Sequence, residues 1–378
     1  MKFRNALFII AIACVAFSCR KVLPPQPPVI DIVDTAANLA HVKGLYVLNE
    51  GNMGSNSCTL DYFDYASGKY TCNIFPTRNP EVVKELGDVG NDLQIYGSKL
   101  YAVINCSHLV EVMDAASARH IATIEIPNGR YLTFHNGKGY VSSYSGPVSI
   151  DPNARLGYVA EFDTASLQVT REVAVGYQPE ELVVVNNHLY VANSGGYRVP
   201  NYDRTVSVID LTTFTEIQKI DVAINLHRLR KDAYGRIYVT SRGDYQGVGA
   251  NTYVIDAATN TVSDTLNFAA SNLCIAGDSL YFINVGWNNN TGANTISYGL
   301  YDVKQKRQVA TNFITDGTEQ QIKRPYGITV NPENHDIFVS DAQNYLVPGT
   351  LYCFTAQGKL KWQATTGDIP AHFAFLKK

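Results

Sequence analysis

The 378-residue chain has no excess of basic charge: 31 Lys and Arg stand against 34 Asp and Glu, a net charge of −3. That balance leaves no electrostatic footprint for nucleic acid. Cysteine is scarce as well. Of seven cysteines, Cys14 and Cys19 fall in the N-terminal segment. The remaining five, Cys58, Cys72, Cys106, Cys274 and Cys353, form an odd set with no C-x-x-C pair. This argues against a zinc site or a disulfide framework and for burial as small hydrophobes, with a single bridge left open for an exported chain. G-x-S-x-G, H-E-x-x-H, P-loop and S-x-x-K signatures do not occur after residue 19, and no two histidines stand four apart. Gly247-Val248-Gly249 lacks the third glycine of a dinucleotide fingerprint. Helical periodicity of useful length is also missing.

One hydrophobic run stands out, and it is N-terminal. Lys2 and Arg4 precede an apolar stretch from Ala6 to Phe17, too short to span a bilayer and suited to a signal-peptide core. Ser18-Cys19 follows at the cleavage point, so Cys19 is expected to be the lipidated residue of an outer-membrane lipoprotein, with residues 1–19 as its signal peptide. Residues 20–40 contain Pro24, Pro25, Pro27 and Pro28 and suit a stiff tether. Residues 41–378 then form one body with no second membrane-length segment.

Two short patterns alternate through that body. One is apolar-aromatic-apolar: Leu45-Tyr46-Val47, Leu100-Tyr101-Ala102, Gly139-Tyr140-Val141, Leu189-Tyr190-Val191, Ile237-Tyr238-Val239, Leu280-Tyr281-Phe282 and Ile337-Phe338-Val339. The other is an alternating strand closing on Asp64, Asp114, Asp163, Asp210, Asp256 and Asp302, with Thr355 in the seventh place. Each recurs roughly every 50 residues, the period of four-stranded propeller blades. The expected fold is all-β, a seven-bladed propeller. The aspartates are read as hairpin-turn formers, their carboxylates accepting backbone N–H groups. The first unit starts near Gly44 without an innermost strand, and the C-terminal Ile369–Leu376 copies the innermost-strand pattern. The C-terminus is therefore expected to complete the first blade and close the ring.

In such a ring the loops between blades, and those after each second strand, share one face. That face collects Asn49, Glu50, Arg78, Arg130, Tyr131, Tyr144, Tyr177, Tyr197, Arg198, Tyr202, His227, Arg242, Tyr245, Trp287, Asn288, Arg324, Tyr326, Tyr345 and His372. Rigid aromatics with directed amide and guanidinium donors are the materials of a binding surface, so binding is expected rather than catalysis. Glu50, Asn193 and Asp341 offer an oxygen-ligand set for Ca²⁺ near the axis, against the alternative that they hold water.

The Leu189-Tyr190-Val191 and Val208-Ile209-Asp210 patterns resemble those of YVTN/YncE-like seven-bladed propellers, over Gly44 to Lys378. Together with Cys19, the Pro-rich stalk and the Asn49-Glu50-Gly51 opening strand, the chain more narrowly resembles the surface lipoproteins of gut Bacteroidetes that capture vitamin B12 (BtuG-like proteins). That resemblance implies cobalamin bound on the long-loop face by a monomeric propeller, which docks on a TonB-dependent outer-membrane transporter and touches the membrane through its lipid alone. Arg20-Lys21 stand where that group often has acidic residues, leaving a periplasm-facing anchor open. Two other readings use the same face: a glycan- or protein-binding surface lipoprotein, and a cation-dependent propeller lactonase or lyase.

Overall fold

The computed structural model describes residues 29–82, 85–288 and 293–378. Cys19, the signal segment and most of the tether lie outside the described residues. Seven antiparallel sheets are arranged as blades, each with its innermost strand beside the axis. The inner strands are Gly90–Tyr96, Gly129–His135, Pro179–Val185, Leu226–Lys231, Asn272–Ala276 and Pro325–Val330 for blades 2 to 7. Blade 1 takes its inner strand from the C-terminus: Pro370–Lys377 pairs antiparallel with Val42–Asn49. The ring is closed as its sequence pattern implies.

The alternation explains the packing. Side chains on both faces of each blade are apolar, so neighbouring blades press together, and each of the seven blade interfaces holds one hydrophobic cluster. The tyrosine of the first pattern is buried within them: Tyr46, Tyr101, Tyr190 and Tyr238 are at most 1% exposed. Tyr46 Oη also donates to Ala115 O of the next blade (2.8 Å), giving a buried hydroxyl its partner. Blade 3 has Gly139 where most blades have Leu or Ile, because a Cβ there would stand 2.1 Å from Phe162 Cζ.

The recurrent aspartates form turns. Asp163 accepts from Ala165 and Ser166 N–H (3.0 and 2.8 Å), and Asp210 accepts from Thr212 and Thr213 N–H (2.8 and 2.9 Å). Asp114 and Asp256 act alike through Ser117 and Ala258. Hydrogen bonds to these carboxylates hold Asp114, Asp163 and Asp210 below the ordinary aspartate pKa.

The tether differs from expectation in its second half. Ile30–Ile32 adds a fifth strand to the outer edge of blade 1, pairing with Lys69–Thr71, while Val33 and Leu39 pack on the cluster between blades 7 and 1. Glu333 then clasps the N–H groups of Ala40, His41 and Val42. An unpaired edge strand is a ready acceptor for an extended segment, so residues 29–40 belong to the body.

Candidate functional site

Strand geometry sets the site. In blades 2, 3, 4, 5 and 7 the register slips at the start of the inner strand. A bulge opposes extra residues to one partner residue and re-aims side chains. It presents consecutive polar residues around the axis: Asn91-Asp92, Arg130-Tyr131, Glu180-Glu181 and His227-Arg228.

These residues build a two-level plug. On the outer level Glu180, 1% exposed, accepts from Tyr144 Oη at 2.7 Å, Arg242 Nη1 at 3.1 Å and Arg130 Nη2 at 3.1 Å. On the inner level Glu181 accepts from Arg228 Nη1 at 2.7 Å, Leu229 N–H at 2.9 Å and Arg230. Between them Tyr131 Oη accepts from Arg228 Nη1 and meets His227 Nε2, each at 3.1 Å. The Tyr131 ring lies edge-on to His227 and His372, at 6.1 and 6.2 Å between centroids.

The charge states follow from these contacts. Burial pushes both glutamates up, but the paired arginines overcome it and hold Glu180 and Glu181 below the ordinary carboxylate pKa. Burial and then Arg242, Arg228, Arg130 and Arg230 drive His227 well below the usual histidine value, so its imidazole is neutral at pH 7 and Nε2 shares a hydrogen bond with the Tyr131 hydroxyl. Burial pushes the Tyr131 hydroxyl up to about 12. Because a lowered carboxylate pKa contributes stability above the unfolded value and loses it as pH falls through the folded one, a sign is fixed. Glu180→Gln is expected to cost about 3 kcal/mol at pH 7, and its melting gap from the native chain should narrow as pH is lowered below the ordinary carboxylate value. Calorimetry across that pH range measures the gap; a constant gap would deny the carboxylate its ionic role.

On the other side of the axis Glu50 accepts from Tyr326 Oη (2.9 Å) and faces His372 Nε2 (3.2 Å). The Glu50 backbone is bonded to Ile369 O (2.9 Å) and to Gly90 N–H (3.0 Å). Its neighbours Val89 and Ile369 are β-branched yet left-handed, with φ of 60° and 57°. Such conformers are costly and persist where surrounding structure enforces them.

Around this plug stand the loops after the second strands: 50–58, 144–157, 194–204, 242–250 and 342–347, with blade 6 extended instead through Ser279–Asn288 and Ala293–Asp302. Every blade but the second exposes a large apolar side chain there: Met53, Ile150, Val199, Tyr245, Trp287 and Leu346. Leu156, Val248 and Val347 are exposed in the same loops, the hairpin-turn face carries Tyr234, and the remaining large exposed apolar groups among the described residues sit on or directly beside outermost strands. Stacked pairs stiffen the crown. Arg198 lies 3.5 Å over the Tyr177 ring, Arg324 lies 4.5 Å over Tyr345, and Tyr345 meets Tyr326 edge-on at 5.9 Å. Tyr197 packs on Tyr144 at 6.2 Å, and Tyr202 is half-buried in the same loop as Tyr197.

Tyr131, Tyr197, Tyr245, Trp287 and Tyr326 all lie at the loop-side ends of their blades. Four expectations need correction or restriction. Arg78 sits on the opposite face: a short helix, Ile74–Arg78, carries it across the blade 1–2 junction, where it bonds Ser117 O in a hairpin turn (3.1 Å) and covers Tyr62. Asn49 is wholly buried and bonds Thr59 (3.0 Å), so it supports a loop from beneath. Asn193 and Asp341 do not join Glu50 at the axis. Asn193 bonds Gly176, Thr205 and Ser207, and Asp341 accepts from Lys323, Arg324 and Gln343 N–H, each within its own blade's loops. The Asn288 side chain lies outside the described residues.

Asn91, Asp92, Glu180, Glu181 and Arg230 are central and were not expected. The signal for the first four was two adjacent polar residues where a strand's alternation calls for one; Arg230 keeps the alternation of its strand.

A family model for a domain of unknown function, DUF5074, matches residues 43–374. No curated protein matches the sequence. Among solved structures, a hypothetical selenium-binding protein from Sulfolobus tokodaii aligns with TM-score 0.63 and 11% identity, over 89% of this chain and 94% of that one. A quinonprotein alcohol dehydrogenase-like protein from Bacteroides thetaiotaomicron aligns with TM-score 0.60 and 14% identity, over 89% and 79%. Kuenenia stuttgartiensis hydrazine synthase aligns with TM-score 0.55 and 14% identity, over 70% and 76%. At such identities these likenesses establish the propeller fold alone.

Proposed function

The chain belongs to the DUF5074 family, and we propose that this member is a binding protein that captures a corrinoid on its loop face. The observation carrying the reading is the crown itself, with exposed Trp287 and Tyr245 standing around a floor of fixed arginines, tyrosines and glutamates. A corrinoid has a broad, partly apolar ring, an amide fringe and a phosphate. Aromatic groups can cover the ring, and Arg130, Arg242 and Tyr326 offer polar partners at the floor. The floor supports binding without turnover: Glu180 and Glu181 are paired with guanidiniums that hold them below the ordinary carboxylate pKa, so at neutral pH they are ill suited to exchange protons. In this reading Cys19 anchors the propeller to the outer membrane, and the ligand passes to a TonB-dependent transporter.

Purified protein should bind cyanocobalamin at one molecule per chain and keep its red absorbance through gel filtration. Titration calorimetry with cyanocobalamin and a glycan panel in parallel tests this. Heat from a glycan and none from cyanocobalamin would replace the corrinoid by a carbohydrate on the same face.

A further inference from the structure

The channel continues behind the plug. A cavity of about 250 Å³ runs along the inner strands and is lined in part by Asp92, Glu181, Arg228, Arg230 and His372. Tyr131, Arg228 and His372 close its loop-face end, at 4%, 4% and 7% exposure. Gln94, Cys274, Thr329 and Phe373, which follow later in their strands and also line it, are partly exposed. The lumen therefore opens toward the hairpin-turn face, away from the crown.

Its charge is unbalanced at one wall. Two guanidiniums, Arg228 and Arg230, share the single carboxylate of Glu181, leaving one positive charge in excess. Glu181 already accepts three hydrogen bonds, the third from Leu229 N–H. Arg228 Nε is buried and has no hydrogen-bond partner. An unpartnered buried guanidinium N–H carries a desolvation cost that an anion at that wall would relieve. The facing carboxyl of Asp92 does not relieve it, being engaged by the N–H groups of Leu93 and Leu132 and by Gln94.

We propose that this lumen is a second site, independent of the loop face, that takes a small oxyanion through Arg228 and Arg230 from the hairpin-turn side. Carboxylate and phosphate groups share the required geometry, two acceptor oxygens set for a guanidinium fork.

The full chain in chloride buffer, titrated separately with inorganic phosphate, sulfate and succinate, tests the assignment. At least one anion should bind at a single saturable site with a dissociation constant near or below about 1 mM, and the melting temperature should climb with the logarithm of its concentration. The tighter arm names the group, phosphate-like or carboxylate. Arg230→Met should weaken that binding about tenfold or more. Arg228→Lys, which keeps the charge and loses the fork, should weaken it as well. Arg204→Met, removing an exposed guanidinium paired with Asp221, should leave it unchanged. No saturable binding of any of the three anions, or equal affinity in Arg230→Met and Arg228→Lys, overturns the proposal. Cyanocobalamin binding, measured on the same preparation, reports the other face separately.

Discussion

A chain ending at Asp368 is expected to show no cooperative melting transition. The lost segment is the inner strand of blade 1, and its eight residues Pro370–Lys377 form the whole of one ladder with Val42–Asn49. About six ladder hydrogen bonds at about 1 kcal/mol each would go, and about 2 kcal/mol more with the buried Leu376. That sum is comparable to the total stability of an ordinary domain, about 5–15 kcal/mol. The truncation also removes Ile369 O, which fixes Glu50, and Phe373 and Phe375 from the cluster between blades 7 and 1. Val42–Asn49, nearly all buried, would become an open edge inviting aggregation. Differential scanning calorimetry decides the matter; a normal midpoint in the truncated chain would mean that the ring does not depend on its C-terminal closure.

The second large effect separates binding from stability. Trp287 and Tyr245 are 60% and 63% exposed, so replacing both by alanine should move stability by no more than about 1 kcal/mol. If the crown grips its ligand through them, each truncation should cost about 1–2 kcal/mol of affinity, together a loss of about 30- to 1,000-fold. The expected signature is a weak or absent cyanocobalamin isotherm from a protein that melts like the native chain. A matching fall in melting temperature would make these aromatics structural.

The blades could be read from the chain because their determinants are local and repeated. Leu189-Tyr190-Val191 alternates along one strand, and Asp210 makes its turn within three residues. Closure was legible for the same reason, since Ile369–Leu376 repeats the pattern of Pro179–Val184. The plug was less so. Whether Glu180 and Glu181 both turn toward the axis depends on a register slip against strand two, and a bulge leaves alternation looking merely imperfect. Arg78 lies on the opposite face because a five-residue helix redirects a connection that blades 2 to 5 make as short turns. Asn49 was misjudged because the end of a second strand lies below the loops it supports. Ile30–Ile32 joined blade 1 through backbone pairing, which side-chain patterning does not encode.

The central claim, that ligand settles on the crown side of the ring, is tested most directly by hydroxyl-radical footprinting of the full chain with and without cyanocobalamin. Tyr234, 48% exposed on the hairpin-turn face, serves as the internal reference. Bound ligand should protect Trp287, Tyr245 and Leu346 and leave the oxidation rate of Tyr234 unchanged. Protection of Tyr234 with Trp287 and Tyr245 still freely oxidised would put the ligand on the wrong side of the wheel and contradict the account.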